Sequence, residues 1–452
     1  MVAVSRQIAV RVLNRLDQSD ETLDAVLARV VSEYPGLCHR DHALAVELAF
    51  GVLRWRGRLD WMIEKLASRP LRKIRPRVMN VIRLGLYQLL FLTRIPPSAA
   101  VNECVTLAKQ TGAPWVAPFV NATLRTASAK LEAINKPPEG CDPVTTLAVW
   151  ESHPRWMVDR WVGQMGMDEA GALCRANNRI PGITLRTNRL KISRDDLLDA
   201  LQPHVKDIRT GNFAPDALIL KGLNRSLAQM PEFRKGWFQV QDEAAQLVSY
   251  LVNPQPGDRI LDACAGLGGK TGHLVQLMGD RGEVVALDRD ASKLCALRAA
   301  LARLEVSCVE TRRLDLLRPG SKRPFGDFDK ILLDAPCSGL GVIRRNPDAK
   351  WQKRAGDLKR LSARQQALLE AVAAWVKPGA RLVYCVCTFE PEETEAVVEG
   401  FLKRHGEFAI ENGSAGFPAE AAEVLLDRAG VFRSLPHRHD MDGFFAIRLK
   451  RG

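Results

Sequence analysis

Cys337 and Cys387 each follow an apolar run, in LLDAPCSG (332–339) and LVYCVCTF (382–389). Short apolar runs of this kind read as buried strands, which places both thiols at strand exits. Pro336 fixes its own φ and stiffens the turn before Cys337. Asp334 stands just upstream. Were a methyl donor bound beside them, two thiols and a carboxyl would suit one reaction, methylation of carbon 5 of a pyrimidine. That carbon is a poor nucleophile. A thiolate adding to carbon 6 converts the ring into an enamine that accepts a methyl group, so one hard step becomes two easier ones. A carboxyl near ring nitrogen 3 stabilises the adduct. The carbon 5 proton must then leave so that the thiolate is expelled, a step a second thiol can assist. The base must also leave any stack to be reached. Position alone does not rank the two thiols, since both lie at strand exits.

A metal is the competing use of cysteines. Cys385 and Cys387 are separated by one residue rather than the two to four of zinc ligands, and no Cys or His pair lies near in sequence, so no metal is expected. Strand alternation sends Cys385 and Cys387 to one side. Only Cys387 lies at the exit, so Cys385 is expected to be buried.

These residues must be positioned by the elements around them. Residues 241–452 alternate apolar strands (RILDA, EVVALD, SCVETRRLD, KILLDAP, RLVYCVC, GFFAIRLK) with helices. Such alternation predicts a doubly wound, mainly parallel sheet. Ligands on such a sheet sit beyond the carboxyl ends of the strands. After the first strand comes DACAGLGGKT (262–271), opening a helix. A phosphate-binding P-loop needs glycine five positions before the Gly-Lys pair, and Cys264 stands there instead. A cofactor loop fits better: Gly266, Gly268 and Gly269 let the backbone approach a ligand that a Cβ would exclude. The second strand ends in Asp288, where an acid binds ribose hydroxyls. The third ends in Asp315, placed to reach an adenine edge. The cofactor is then an adenosine compound, a dinucleotide or S-adenosylmethionine on these residues alone.

The rest of the chain carries no catalytic grouping. Residues 1–145 read as successive helices. RVMNVIRLGLYQLLFL is a mostly buried one, Ser98 is the expected cap of the next, and that helix is expected to end at Gly112. His39 and His42 read as surface histidines, and NKPPEGCDP (135–143) as a linker. Residues 146–240 form a smaller mixed region with a strand in GITLRTNRL and a helix capped by Ser193.

Composition sets the class. At 452 residues, 46% hydrophobic and 26% charged, the chain is long enough for two or three globular domains. No apolar stretch is long enough for a membrane span, and the N-terminus has no signal-peptide core. Ten cysteines in a chain this long suit free thiols in a reducing cytoplasm rather than a disulfide scaffold. The net charge of +13 and pI near 9.4 point to a polyanionic partner. Between Arg54 and Arg83 there are ten basic residues and only two acidic ones, which marks a nucleic-acid face.

At DACAGLGGKT, LDRD, LLDAPCSGLG and YCVCTFEPEE the sequence resembles the RNA (cytosine-5)-methyltransferases, in particular the Fmu/Sun type that acts on bacterial 16S ribosomal RNA. The likeness extends over nearly the whole chain. SAAVNECVTLAKQTG and FVNATLRT are similar to the NusB-like RNA-binding domain, and TLRTNRLKISRDDLL and GWFQVQDEAAQLV to the connecting region. The resemblance implies an all-α NusB-like domain over 1–145, a small α+β connecting region over 146–240 and a Rossmann-like α/β S-adenosylmethionine-dependent methyltransferase domain over 241–452. It implies that Cys264, Ala265, Gly266, Leu267, Gly268, Gly269 and Lys270 form the S-adenosylmethionine loop, that Asp288 binds its ribose, that Asp315 lies near its adenine and that Asp334 touches cofactor or base. Cys387 is then the nucleophile and Cys337 helps release product. The implied substrate is 16S ribosomal RNA, free or in early assembly, and the implied protein a cytoplasmic monomer. Methylation of transfer RNA or another RNA, methylation of DNA, and a non-enzymatic NusB-like RNA-binding protein are the alternatives. The near-complete catalytic motifs count against the last, and the extra Cys387 with the NusB-like segment against DNA. Leu267 stands where the family usually has proline, and Val386 where it has threonine.

Overall fold

The computed structural model describes residues 3–110, 115–318 and 326–452. Gly112, expected to end a helix, lies outside them. The chain divides into two compact units, Met1–Arg179 with Ile343–Ala355, and Ile180–Val342 with Gly356–Gly452.

Every secondary-structure element of the first unit, among the described residues, is a helix. Its helices bury apolar residues at helical spacing, such as Ile8, Val12 and Leu16 on Val4–Leu16. The helix Pro76–Phe91 is buried from Val78 to Gln88. The following helix starts at Pro97, behind Pro96, so Ser98 lies inside its first turn and does not cap it. Proline is favoured at that first position because its φ is preset and its missing N–H is not needed there. His39 and His42 are exposed. The helices Pro143–Trp150, Arg155–Met165 and Met167–Asn178 also lie in this unit. Arg58 stacks 3.4 Å from the Trp150 ring, and the Gly57 N–H donates to Ser152 Oγ at 2.9 Å. The compact division therefore falls at 179, beyond the expected change of region at 145. Segment Ile343–Ala355 is built into the same unit through Lys350. Its buried ammonium donates to the Arg54 and Ser152 carbonyls at 2.8 and 2.9 Å and to Asn178 Oδ1 at 3.1 Å. Burial pushes the Lys350 pKa well below its usual value.

The expected basic face is reduced by this packing. Arg54, Arg58 and Arg83 are buried. Arg54 donates to the Arg344 carbonyl at 2.6 Å, and Arg83 grips Asp60 through two bonds of 2.6 and 2.8 Å. Lys65, Arg69, Arg72, Lys73, Arg75 and Arg77 remain exposed.

The second unit holds two sheets. Strands β1 (Ile183–Thr187), β2 (Asp207–Thr210), β3 (Ala217–Lys221) and β4 (Phe238–Val240) form an antiparallel sheet in the order β2-β3-β1-β4. Ser193 accepts from the Asp196 N–H and caps Arg194–Leu201, as expected. The larger sheet contains β5 (Arg259–Asp262), β6 (Glu283–Asp288), β7 (Val309–Arg313), β8 (Phe328–Asp334), β9 (Val376–Val386), β10 (Phe408–Ile410), β11 (Phe432–Ser434) and β12 (Phe444–Arg451). Its order is β10-β12-β9-β8-β5-β6-β7, with β11 paired to β12. The run from β9 to β7 is parallel, and β12 joins β9 antiparallel. Strands covered on both faces need continuous apolar residues, which is why Ile331, Leu332 and Leu333 of β8 are all fully buried. From β5 the chain winds outward through β6 and β7, then returns to place β8 and β9 on its other side. The loops after β5 and β8 therefore open at the switch point, where such sheets hold ligands.

Candidate active site

The loop after β5 turns sharply because glycine permits it. Gly268 has φ +82°, and a Cβ there would stand 2.7 Å from Leu297 Cγ. Gly266 has φ +56° with open space beside it, so its bare backbone faces the cleft. Asp288, at the end of β6, fastens this loop. One carboxylate oxygen accepts from the Gly266 N–H at 3.0 Å and the other from the Asp290 N–H at 2.8 Å.

The loops after β5 to β9 enclose a cleft of about 340 Å³. It is lined by Cys264, Gly266, Asp288, Asp315, Asp334, Cys337 and Cys387 among the expected residues. Ala265, Leu267, Gly268, Gly269 and Lys270 do not line it. Leu267 is 63% exposed, and Gly269 and Lys270 already belong to the following helix. Lys270 turns instead to Asp334, its Nζ 2.7 Å from Oδ2 and 5.1 Å from the Phe444 ring. Burial works against the Lys270 charge, but Asp334 outweighs it and raises the pKa.

The two cysteines meet at one end of this cleft, with Cys337 Sγ 3.2 Å from Cys387 Sγ. Sharing a hydrogen bond with Cys387, reinforced by burial, holds the Cys337 thiol well above its usual pKa. Burial, reinforced by the nearby carboxylates of Asp262, Asp334 and Asp288, pushes Cys264 up to about 12. Cys385 is fully buried, as expected, and its Sγ lies 3.3 Å from Asp334 Oδ1. Both oxygens of Asp334 are thus engaged, by Lys270 and Cys385. The cysteine loops are braced against each other: Gly341 N–H donates to the Cys387 carbonyl at 3.0 Å, and Ser338 Oγ to Thr388 Oγ1 at 3.1 Å. Val386 is fully buried in an apolar core cluster, so the position that differs from the resembling family faces away from Cys385 and Cys387.

Several residues were not legible beforehand. Arg289, Lys293 and Arg364 line the cleft. Arg186 of β1, in the region without apparent chemistry, is fully buried and donates to the Gly269 carbonyl at 2.6 Å and to Gln241 Oε1. Burial lowers its pKa to about 9. A lone arginine in a strand gives no sequence signal for such a role.

Asp262, at the end of β5, receives Thr271 Oγ1 at 2.7 Å, while its other oxygen has no partner among the described residues. Burial raises its pKa to about 7. Between about pH 4 and pH 7 the unfolded carboxyl ionises while the folded one keeps its proton. Stability is thus full below the unfolded pKa and falls as pH rises through this window, by up to roughly 4 kcal/mol at 1.36 kcal/mol per unit. Asp262→Asn is expected to remove that decline. Denaturant midpoints measured from pH 4 to 8 check it, and parallel curves for both proteins would count against the buried acid.

The fold is Rossmann-like, and the family matches define the class as a methyltransferase that takes its methyl group from S-adenosylmethionine. The 16S rRNA methyltransferase RsmB/F family matches residues 249–450, the NusB family residues 3–129, and the ferredoxin-like domain of RsmF/B-like methyltransferases residues 153–224. A protein of Synechocystis named "Probable ribosomal RNA small subunit methyltransferase B" is 37% identical over 99% of both chains. The ribosomal RNA small subunit methyltransferase B of Pectobacterium atrosepticum is 34% identical over 98% of both. The chain belongs to the ribosomal RNA small subunit methyltransferase B family. The crystal structure of PH0851 shares the fold, with a TM-score of 0.83 and 24% identity over 100% of this chain and 99% of that one. Among the described residues no helix is long and apolar enough to cross a membrane.

Proposed function

We propose that this protein methylates carbon 5 of a specific cytosine in 16S ribosomal RNA through a covalent bond between Cys387 and carbon 6. The observation that carries the reading is the 3.2 Å approach of Cys337 and Cys387 beside Asp334 at the cofactor cleft. When bound, S-adenosylmethionine supplies an electrophilic methyl group. Asp288 and the Gly266 backbone would hold its ribose side, and Asp315 its adenine side. Asp334, oriented by Lys270, accepts a hydrogen bond from the exocyclic amino group beside ring nitrogen 3 and so holds the base in place. The Cys387 thiolate adds to carbon 6, and carbon 5 becomes nucleophilic and gains the methyl group. Cys337, as its thiolate, then accepts the carbon 5 proton and becomes a thiol. The C–H electron pair restores the ring double bond, and the carbon–sulfur pair returns to Cys387 as its thiolate. Residues 1–145 and 146–240 serve RNA binding, and 241–452 catalysis. The substrate is RNA free or in early assembly, met in the cytoplasm by a monomer.

Bisulfite mapping of 16S RNA in a deletion strain tests the reaction: one cytosine should lose its protection and regain it on complementation. Unchanged protection everywhere would contradict the reading. The cofactor assignment has its own test. Asp288→Ala removes a charged acceptor of roughly 1.5–3 kcal/mol, so S-adenosylmethionine should bind about ten- to a hundredfold more weakly. Calorimetry giving wild-type affinity would refute the assignment.

A further inference from the structure

Behind the two cysteine loops lies a carboxyl that the mechanism above does not use. Glu393 is fully buried. Its Oε1 accepts from the Ser338 N–H at 2.9 Å and from Gln365 Nε2 at 2.8 Å. Gln365 Nε2 also reaches the Pro336 carbonyl at 3.1 Å. Pro336 and Ser338 flank Cys337, so both sides of that thiol are tied to the Glu393–Gln365 pair. The backbone carbonyl of Glu393 is pinned in turn by Tyr384 Oη at 2.6 Å, on the strand that leads to Cys387. Ser338 Oγ adds the link to Thr388, the residue after Cys387. One buried residue is therefore tied to both cysteine loops. Burying a carboxyl costs several kcal/mol unless its bonds compensate, and here one oxygen has no partner among the described residues. A core-filling role alone would be met at lower cost by an apolar residue.

We propose that Glu393 is a positioning residue for product release, holding the Cys337 loop through Ser338 and Gln365 at the distance from which Cys337 takes the carbon 5 proton. The inference rests on the release role given to Cys337 above. Glu393→Ala removes the acceptor. Glu393→Gln retains an oxygen that can accept from both donors. Glu393→Ala should lower turnover by about tenfold or more and accumulate a covalent enzyme–RNA adduct that depends on S-adenosylmethionine, with cofactor affinity within about twofold of wild type. Glu393→Gln should return turnover to within about threefold of wild type and clear the adduct, which a role set by volume alone does not require.

Cys337→Ala is run alongside on the same denaturing gel. If it traps the adduct and Glu393→Ala turns over at the wild-type rate, or slows without adduct, the positioning role of Glu393 is overturned. If Cys337→Ala itself traps nothing, the release role of Cys337 falls, and this inference with it. Should Glu393→Ala fail to bind S-adenosylmethionine, Gln365→Met decides. It leaves the Glu393–Ser338 bond in place and should accumulate adduct to a smaller extent. Absence of adduct in that variant overturns the proposal.

Discussion

Cys387→Ala is expected to abolish methyl transfer and to form no covalent complex with RNA. Cys337→Ala is expected to attack and to transfer one methyl group, then to stall as an adduct on a denaturing gel. The thiols are 3.2 Å apart, so distance does not separate their roles. Chemistry does. Loss of the nucleophile removes the covalent route altogether, whereas loss of the release thiol leaves carbon 6 bonded to Cys387. The stalled species should require S-adenosylmethionine, because the carbon 5 proton becomes removable only after methylation. The reverse pattern, with Cys387→Ala trapped and Cys337→Ala free of adduct, would make Cys337 the nucleophile.

The second large effect concerns RNA affinity. Replacing the exposed Arg72, Lys73, Arg75 and Arg77 by alanine should weaken RNA binding and flatten its dependence on salt. Each lost phosphate contact removes about 0.7–0.9 from the log–log slope, or roughly 3 for all four. Anisotropy titrations across a salt series give the slope directly. An unchanged slope would leave these four side chains as a solvated surface. Arg54, Arg58 and Arg83 are excluded from the set because the first unit uses them internally.

The contrast between those two sets of arginines marks what a sequence can convey. The strand exits carrying Asp288, Asp334, Cys337 and Cys387 were legible, because apolar runs fix strand ends and a doubly wound sheet gathers those ends in one place. Charge along a helix was less legible, since the same guanidinium serves a phosphate or a neighbouring carbonyl. Arg186 and Glu393 gave no sign of their partners. The residues they touch lie 83 and 55 positions away in the bonds to Gly269 and Ser338, and no local periodicity encodes such pairings. Lys270 illustrates a third case. Expected in the glycine loop, it lies in the helix that starts at Gly269, and its side chain runs to Asp334 rather than lining the cleft. Ser98 lost its expected cap position for a local reason, the helix-starting preference of Pro97.

The central claim is that methyl transfer to cytosine carbon 5 runs through Cys387. RNA carrying 5-fluorocytosine at the target position tests it most directly, because fluorine at carbon 5 cannot leave as a proton and the adduct persists after methylation. The wild-type enzyme, incubated with this RNA and S-adenosylmethionine, is digested and its RNA-linked peptide sequenced by mass spectrometry. The account predicts a methylated nucleotide attached to Cys387 of the Val386–Thr388 segment. A nucleotide attached to Cys337, or a methylated product with no protein attached, would contradict it.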